Sequence, residues 1–223
     1  MTSPERDDEL DGPSYGPHSG GPVKQIILLL HGYGSNGDDL ISFADVWRDV
    51  FPDALFLSPH APEPVPFSYG GYQWFAIDEL TAEAMAAGVA RAAPVINRFI
   101  DRQLERHGLT ERDMALVGFS QGTMMSLYVG PRRERQLAGI LGYSGLLTDP
   151  AALAREVRTR PPVMLIHGAA DPMVPVASMH AAESALTGLG FEVSSHISPG
   201  LGHGVDQVGL QLGADFVSRA LRR

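Results

Sequence analysis

The 223-residue sequence contains no cysteine, which excludes a disulfide scaffold, a cysteine nucleophile and a thiolate zinc site. Positive charge is scarce, because 17 Lys and Arg side chains stand against 26 Asp and Glu side chains and leave a formal net charge of −9. This balance argues against broad electrostatic binding to nucleic acid or to an anionic membrane surface. We therefore expect no nucleic-acid partner.

Long apolar segments are also missing. The run Ile26–Leu30 is far shorter than the roughly 20 residues that a membrane helix needs, so we expect no stable membrane insertion. The N-terminus is acidic and lacks the apolar segment of a secretory signal. The sequence therefore predicts a cytoplasmic protein.

The first 22 residues differ in composition from the rest of the chain. They are rich in Asp, Glu, Gly, Pro and Ser and carry few large apolar side chains, so they have little surface to bury in exchange for ordering. We interpret residues 1–22 as a flexible acidic tail and residues 23–223 as a single domain, which is an ordinary length for an α/β fold.

Short apolar runs alternate with amphipathic helical patterns along that domain. Several runs show no polar alternation, which is typical of strands covered on both faces. Pro94 suits the first turn of one predicted helix. The pattern predicts an α/β fold with a mostly parallel central sheet and helices on both faces. The predicted strands are Gln25–Leu30, Ala54–Leu57, Met114–Gly118, Gly139–Tyr143, Val163–Ile166 and Val193–Ile197.

One run of five residues, Gly118-Phe119-Ser120-Gln121-Gly122, has the pattern G-x-S-x-G between a predicted strand and a predicted helix. In this context the serine occupies a tight turn that projects its hydroxyl above the sheet, and the flanking glycines avoid Cβ clashes. The positive end of the following helix points toward a developing oxyanion. Ser120 is therefore the candidate nucleophile, and the alternative is an ordinary glycine-rich turn with a capping serine.

A serine hydroxyl needs a base, and in this strand–turn–helix arrangement the acid and the base follow the serine along the chain. Asp171 and His203 each follow a predicted strand, and glycines flank His203. Asp171 can fix the imidazole tautomer while His203 takes the serine proton. Asp149 is the rival acid, although its position before Pro150 is typical of a helix start.

An oxyanion hole needs two hydrogen-bond donors. We expect one from the backbone N–H of Gln121 and the other from the backbone N–H of Tyr33, in the glycine-containing loop after the first strand. The alternative for that loop is a tight turn without a role in catalysis.

The substrate-binding candidates are Trp74, Phe75 and Leu146. Trp74 and Phe75 lie in the long aromatic segment 58–79, and they could form an apolar wall for an acyl chain. Packing in the core is the competing interpretation for all three side chains. The 51 residues from Ser120 to Asp171 leave no room for a large lid domain, so we expect an open groove.

Together these segments resemble the phospholipase/carboxylesterase family of α/β-hydrolases, which contains acyl-protein thioesterases and small bacterial carboxylesterases. The resemblance extends from about Val23 to the C-terminus. It implies an α/β-hydrolase fold, hydrolysis of carboxylic esters or thioesters, no cofactor and, as often in the family, a homodimer. The matching segments are Leu28–Ser35, Gln73–Phe75, Gly118–Gly122, Gly168–Pro175 and Gly200–Gly204.

The leading hypothesis is a serine carboxylesterase that hydrolyses small short- to medium-chain carboxylic esters through an acyl-enzyme. An acyl-protein thioesterase or lysophospholipase would use the same triad with a different leaving group. A hydrolase-fold protein that binds ligands without catalysis is the alternative from another class. A metal site is not predicted, because the sequence has no H-E-x-x-H motif and its histidines lack metal-ligand spacing.

Overall fold

A seven-stranded sheet forms the centre of the computed structural model, which describes residues 10–66 and 69–222. The strands of these residues are β1 (Ser14–Tyr15), β2 (Gln25–Leu30), β3 (Ala54–Leu57), β4 (Glu63–Pro64), β5 (Tyr72–Gln73), β6 (Met114–Phe119), β7 (Gly139–Tyr143), β8 (Val163–Gly168) and β9 (Val193–Ser198). The order in the central sheet is β1-β3-β2-β6-β7-β8-β9, and only β1 runs antiparallel to its neighbour. Strands β4 and β5 form a small separate hairpin. The predicted mostly parallel sheet is confirmed.

Helices cover both faces of the sheet. The helices are α1 (Gly37–Ile41), α2 (Phe43–Trp47), α3 (Ala82–His107), α4 (Gln121–Val129), α5 (Pro150–Glu156), α6 (Val176–Gly188) and α7 (Gln207–Ala220). Helices α1, α2 and α7 share one apolar cluster on one face of the sheet. Helices α3, α4, α5 and α6 pack in two clusters on the opposite face. Strand β2 explains the unbroken apolar runs, because Ile26 and Leu28 pack on one face while Ile27 and Leu29 pack on the other.

Helix α3 begins twelve residues before Pro94, so the predicted start of this helix at Pro94 is wrong. The Thr81 hydroxyl caps the helix by accepting a hydrogen bond from the Ala84 N–H, and an alanine-rich first half favours the helical state. Pro94 removes only one N–H and lies on the exposed face, where water can solvate the carbonyl left without a donor.

The segment 10–22 packs along strand β3, so the predicted flexible tail is wrong for these residues. Ser14 pairs with Leu57, the Asp11 carbonyl accepts a hydrogen bond from the His60 N–H at 2.7 Å, and Leu10 is buried. Backbone hydrogen bonds to an edge strand hold the segment, and composition does not reveal such bonds. Residues 1–9 of the predicted tail lie outside the described residues.

The connection between Ser120 and Asp171 holds only α4, a 3₁₀ turn (Gly130–Arg132), β7, α5, β8 and short loops, which confirms that no large lid domain is inserted there. No helix in the described ranges combines the length and apolar character that a membrane crossing requires. The cytoplasmic location and the homodimer stay predictions.

The segment 10–22 can be tested by truncation. A chain that begins at residue 23 loses the Leu10 contact and the pairing with β3, so we expect its free energy of unfolding to fall by about 2–4 kcal/mol. A chain that begins at residue 10 is the matched control and should keep nearly full stability. Urea unfolding of both chains makes the comparison, and equal stability of the two would contradict the packing described here.

Candidate active site

Ser120 lies at the sharp turn between β6 and α4, at the carboxyl edge of the central sheet. Its backbone angles are φ 53° and ψ −113°, a conformation that residues other than glycine rarely adopt. The Ser120 N–H donates to the Tyr143 carbonyl at 2.9 Å, and the Ser120 carbonyl accepts from the Thr123 N–H at 3.0 Å. The surrounding hydrogen bonds therefore hold the strained residue in place, as the G-x-S-x-G pattern predicts.

Two glycines make this turn sterically possible. A Cβ atom on Gly122 would lie 1.8 Å from the Leu30 carbonyl oxygen, and one on Gly118 would lie 2.4 Å from the Thr123 nitrogen. Neither contact is compatible with a side chain. The close approach at Gly122 brings the first turn of α4 against the end of β2, and so places Ser120 beside the loop that follows β2.

Thr123 has a role at this turn that the sequence analysis missed. Its buried hydroxyl lies 2.8 Å from the carbonyl oxygens of both Gly118 and Tyr143, and so it joins the end of β6 to the end of β7. A polar side chain on a buried helix face, one turn after the candidate nucleophile, is the signal that could have identified it.

Asp171 and His203 form a hydrogen-bonded pair at the ends of β8 and β9. The His203 Nδ1 donates to the Asp171 Oδ2 at 2.7 Å, while the Asp171 Oδ1 accepts from the Met173 and Val174 N–H groups at 2.8 and 2.9 Å. The Asp171 side chain has no solvent-exposed surface. Burial by itself raises the pKa of the Asp171 carboxyl, but the hydrogen bonds from Val174, His203 and Met173 outweigh it and hold that pKa below its usual value.

The imidazole of His203 lies against the turn that carries Ser120. Its ring centroid is 5.0 Å from that of Phe119, the residue directly before the serine. The Ser144 hydroxyl donates to the Gly204 carbonyl at 3.3 Å and ties the loop after β7 to the histidine loop. Within the described residues, the Ser120 hydroxyl and the His203 ring form no hydrogen bond, a bond that in unliganded enzymes often tightens only with substrate.

The two predicted oxyanion donors lie in segments next to Ser120. A Cβ atom on Gly32, the residue before Tyr33, would lie 3.2 Å from the Ser120 Cβ. Gln121 begins α4 directly after Ser120. In the part of the chain that the structure describes, neither the Tyr33 N–H nor the Gln121 N–H has a hydrogen-bond acceptor.

Trp74 and Phe75 lie in the core, so their predicted place on an open groove is wrong for this structure. Each side chain is 1% exposed. The buried Gln121 side chain accepts from the Trp74 N–H and donates to the Phe75 carbonyl, both at 2.8 Å. The Trp74 indole N–H donates to the His31 carbonyl at 2.9 Å, so this residue supports the loop that carries Tyr33.

Ser120 is partly exposed, as is the His203 side chain at 21%. Leu146 is partly buried and follows Gly145, where a Cβ atom would lie 2.9 Å from the Ser120 carbonyl oxygen. Tyr33 is 43% exposed and Met173 is 72% exposed. A cavity of about 600 Å³ lies elsewhere, between the segment 10–14, the end of β3 and helix α3, and no predicted site residue lines it.

Across residues 10–66 and 69–222, no group of three or more His, Cys, Asp and Glu side chains is placed to hold a metal ion. The chemistry available here is that of a hydroxyl, an imidazole, a carboxylate and two backbone N–H groups.

The strand order, the turn at Ser120 and the Asp171–His203 pair define an α/β-hydrolase. The model of the phospholipase/carboxylesterase family matches residues 18–221, so the chain belongs to that family and is a carboxylic ester hydrolase. It is 30% identical over 196 residues to Esterase YpfH of Escherichia coli K12, covering 88% of this chain and 83% of that protein.

Two further comparisons agree. The chain is 30% identical over 194 residues to Acyl-protein thioesterase 1 of Gibberella zeae, covering 79% of this chain and 82% of that protein. The crystal structure of esterase PE8 superposes with a TM-score of 0.91 at 41% identity, covering 95% of this chain and 99% of that one.

The contact at Gly122 gives a test of the turn. Gly122→Ala forces a methyl group against the Leu30 carbonyl, so we expect a loss of at least about 3 kcal/mol of unfolding free energy or no folded protein. Gly188→Ala is the control, because the same atom at the end of α6 meets open space. Thermal and urea unfolding compare the variants, and equal stability would overturn the packing at the turn.

The structural role of Trp74 can be separated from substrate contact. Trp74→Phe leaves the His31 carbonyl without its donor, which we expect to cost about 1–3 kcal/mol of stability and to lower kcat, with KM for short esters nearly unchanged. Trp47→Phe is the matched control, since Trp47 is equally buried and its indole N–H donates to the Leu210 carbonyl at 3.2 Å. Trp47 packs on the opposite face of the sheet from Trp74 and is far from Ser120 in the sequence. It should lose stability without losing kcat per active site. A raised KM in Trp74→Phe at full stability would restore the substrate-lining role.

Proposed function

We propose that the protein is a serine carboxylesterase that hydrolyses short- to medium-chain carboxylic esters with Ser120, His203 and Asp171 as its catalytic triad. The observation that carries the proposal is the strained Ser120 turn beside a histidine whose Nδ1 is 2.7 Å from a buried carboxylate. Strained backbone persists only where the surrounding structure enforces it, and it concentrates at functional sites.

Acylation begins when the Ser120 Oγ attacks the acyl carbon and the His203 Nε2 takes the hydroxyl proton. Negative charge develops on the former carbonyl oxygen, and the N–H groups of Tyr33 and Gln121 donate hydrogen bonds to it. The bond from the acyl carbon to the alcohol oxygen then breaks, and His203 gives the proton to the leaving alcohol. Asp171 holds the ring in the required tautomer and stabilises the imidazolium that forms.

Deacylation reverses these roles with water. His203 takes a proton from water as the water oxygen attacks the acyl carbon of the ester on Ser120. The tetrahedral intermediate collapses, the bond from the acyl carbon to the Ser120 Oγ breaks, and His203 returns the proton to the serine. The carboxylic acid leaves, and the active site is regenerated with no cofactor.

The burial of Trp74 and Phe75 supports a preference for short acyl groups, because it removes the two aromatic side chains predicted to form a wall for a long chain. Leu146 and Tyr33, in the loops after β7 and β2, and Met173, two residues after Asp171, remain as candidates for apolar contact. Apolar contact area of this size contributes only a few kcal/mol, which suits an acyl chain of a few carbons.

An acyl-protein thioesterase is the second candidate. Relatives with that name support it. The same triad would cleave a carbon–sulfur bond and release a thiol. The hypothesis of a hydrolase-fold protein without catalysis has less support, because ligand binding alone gives no reason to maintain the strain at Ser120.

Removing the nucleophile tests the triad. Ser120→Ala removes the attacking oxygen, so we expect kcat/KM for a short p-nitrophenyl ester to fall at least about 10³-fold with stability unchanged. Ser194→Ala is the control, since this serine is exposed on β9, and it should keep full activity. Steady-state kinetics decides, and a Ser120→Ala enzyme within a few-fold of the unaltered protein would refute the proposal.

Matched series of oxyesters and thioesters of increasing acyl length test the substrate class. A maximum of kcat/KM at short oxyesters is the expected result, because Trp74 and Phe75 are buried and do not offer a wall for a long acyl chain. A steady rise toward long acyl chains, or a strong preference for thioesters, would favour the thioesterase instead.

A further inference from the structure

A second histidine contacts the candidate catalytic acid. His167 is the second-to-last residue of β8. Its Nε2 lies 3.3 Å from the Asp171 Oδ2, the same oxygen that accepts the hydrogen bond from His203. Both side chains of this second contact are almost completely buried, at 1% and 0% exposure. Neither the proton transfers nor the oxyanion donors described above use His167.

The proton on His167 can be assigned from its partner. The Nε2 lies 2.8 Å from the Val174 carbonyl oxygen, which can only accept a hydrogen bond. The Nε2 therefore carries a proton and donates it to Val174, with its positive end also close to the Asp171 Oδ2. This bond closes the turn 171–174, whose own N–H groups hold the other oxygen of Asp171.

We propose that His167 is a positioning residue, which fixes the turn that presents Asp171 and competes with His203 for the Oδ2 of that carboxylate. The proposal rests on the proposed function. The second N–H near the Oδ2 shares the negative charge of Asp171 between the two rings, so less of that charge is directed at the His203 ring. The bond to Val174 keeps Asp171 in register with the His203 ring, where small displacements are costly to the rate.

Asparagine and glutamine at position 167 separate this role from simple packing. A glutamine amide reaches the place of the His167 Nε2, whereas an asparagine amide is one methylene shorter and does not reach Val174. His167→Gln should therefore keep kcat within about 3-fold, and His167→Asn should lose about 10-fold or more, counted per site labelled by a fluorophosphonate. Counting labelled sites removes the effect of misfolded protein.

The pH dependence of kcat/KM is the measurement that a simple packing defect would leave unchanged. In His167→Asn the Asp171 carboxylate interacts with His203 alone, which favours the protonated His203 ring. The acid limb of the kcat/KM profile should therefore shift upward by about half a pH unit. In His167→Gln the limb should stay in place. The elements packed around this turn carry further ionisable groups, all unchanged in both variants: Tyr143, Asp149, His180, Glu183, His196 and Asp206.

A spectroscopic measurement covers the case in which His167→Asn is too unstable for kinetics. The proton on the His203 Nδ1 gives a downfield NMR resonance, which should move further downfield when the competing donor is lost and stay in place in His167→Gln. Asn and Gln variants with equal kcat per labelled site and an unmoved acid limb would overturn the proposal, as would equal resonances. Failure of the triad would instead appear as an active Ser120→Ala enzyme, so the two failures are distinguishable.

Discussion

The contact between the backbone of Gly122 and the carbonyl of Leu30 determines where the rest of the site can lie. A hydrogen in place of a side chain lets the first turn of α4 press against the end of β2. Ser120 is then held between two strands, with the loop after β2 on one side and the loop after β7 on the other. The strain at Ser120 is the energetic cost of this arrangement, and the hydrogen bonds around Thr123 help to offset it.

Hydrogen bonds between buried polar groups hold the loops of the candidate active site in place. The side chain of Gln121 binds the backbone of residues 74 and 75, and the Trp74 indole binds the His31 carbonyl. The His31 ring accepts from the Ala61 N–H at 2.9 Å, and burial lowers the pKa of His31, so this imidazole is a neutral structural element. The hydrogen-bond partners of His31 therefore distinguish it from His203, the proposed catalytic base.

Sequence patterns predicted those parts of the molecule that depend on local chemistry. The strands β2, β3 and β7 have the predicted bounds, because apolar runs between glycine, proline and aspartate signal buried strands. The turn at Ser120 and the meeting of Asp171 with His203 follow from chain order and glycine spacing. Patterns did not reveal that residues 14 and 15 pair with β3 or that Trp74 is buried, since each depends on partners 40 or more residues away. Chain order likewise identified Asp171 and His203 but did not indicate that His167 also contacts the Asp171 carboxylate.

The short antiparallel strand β1 also affects how copies of the chain can associate. By pairing with β3 it covers one border of the central sheet and offers an incoming strand a face only two residues long. The opposite border is β9, whose sequence VSSHIS exposes two serines and carries little apolar surface. A continuous sheet across two molecules is thus poorly supported at the β1 border. The same capping makes that border a poor template for edge-to-edge aggregation.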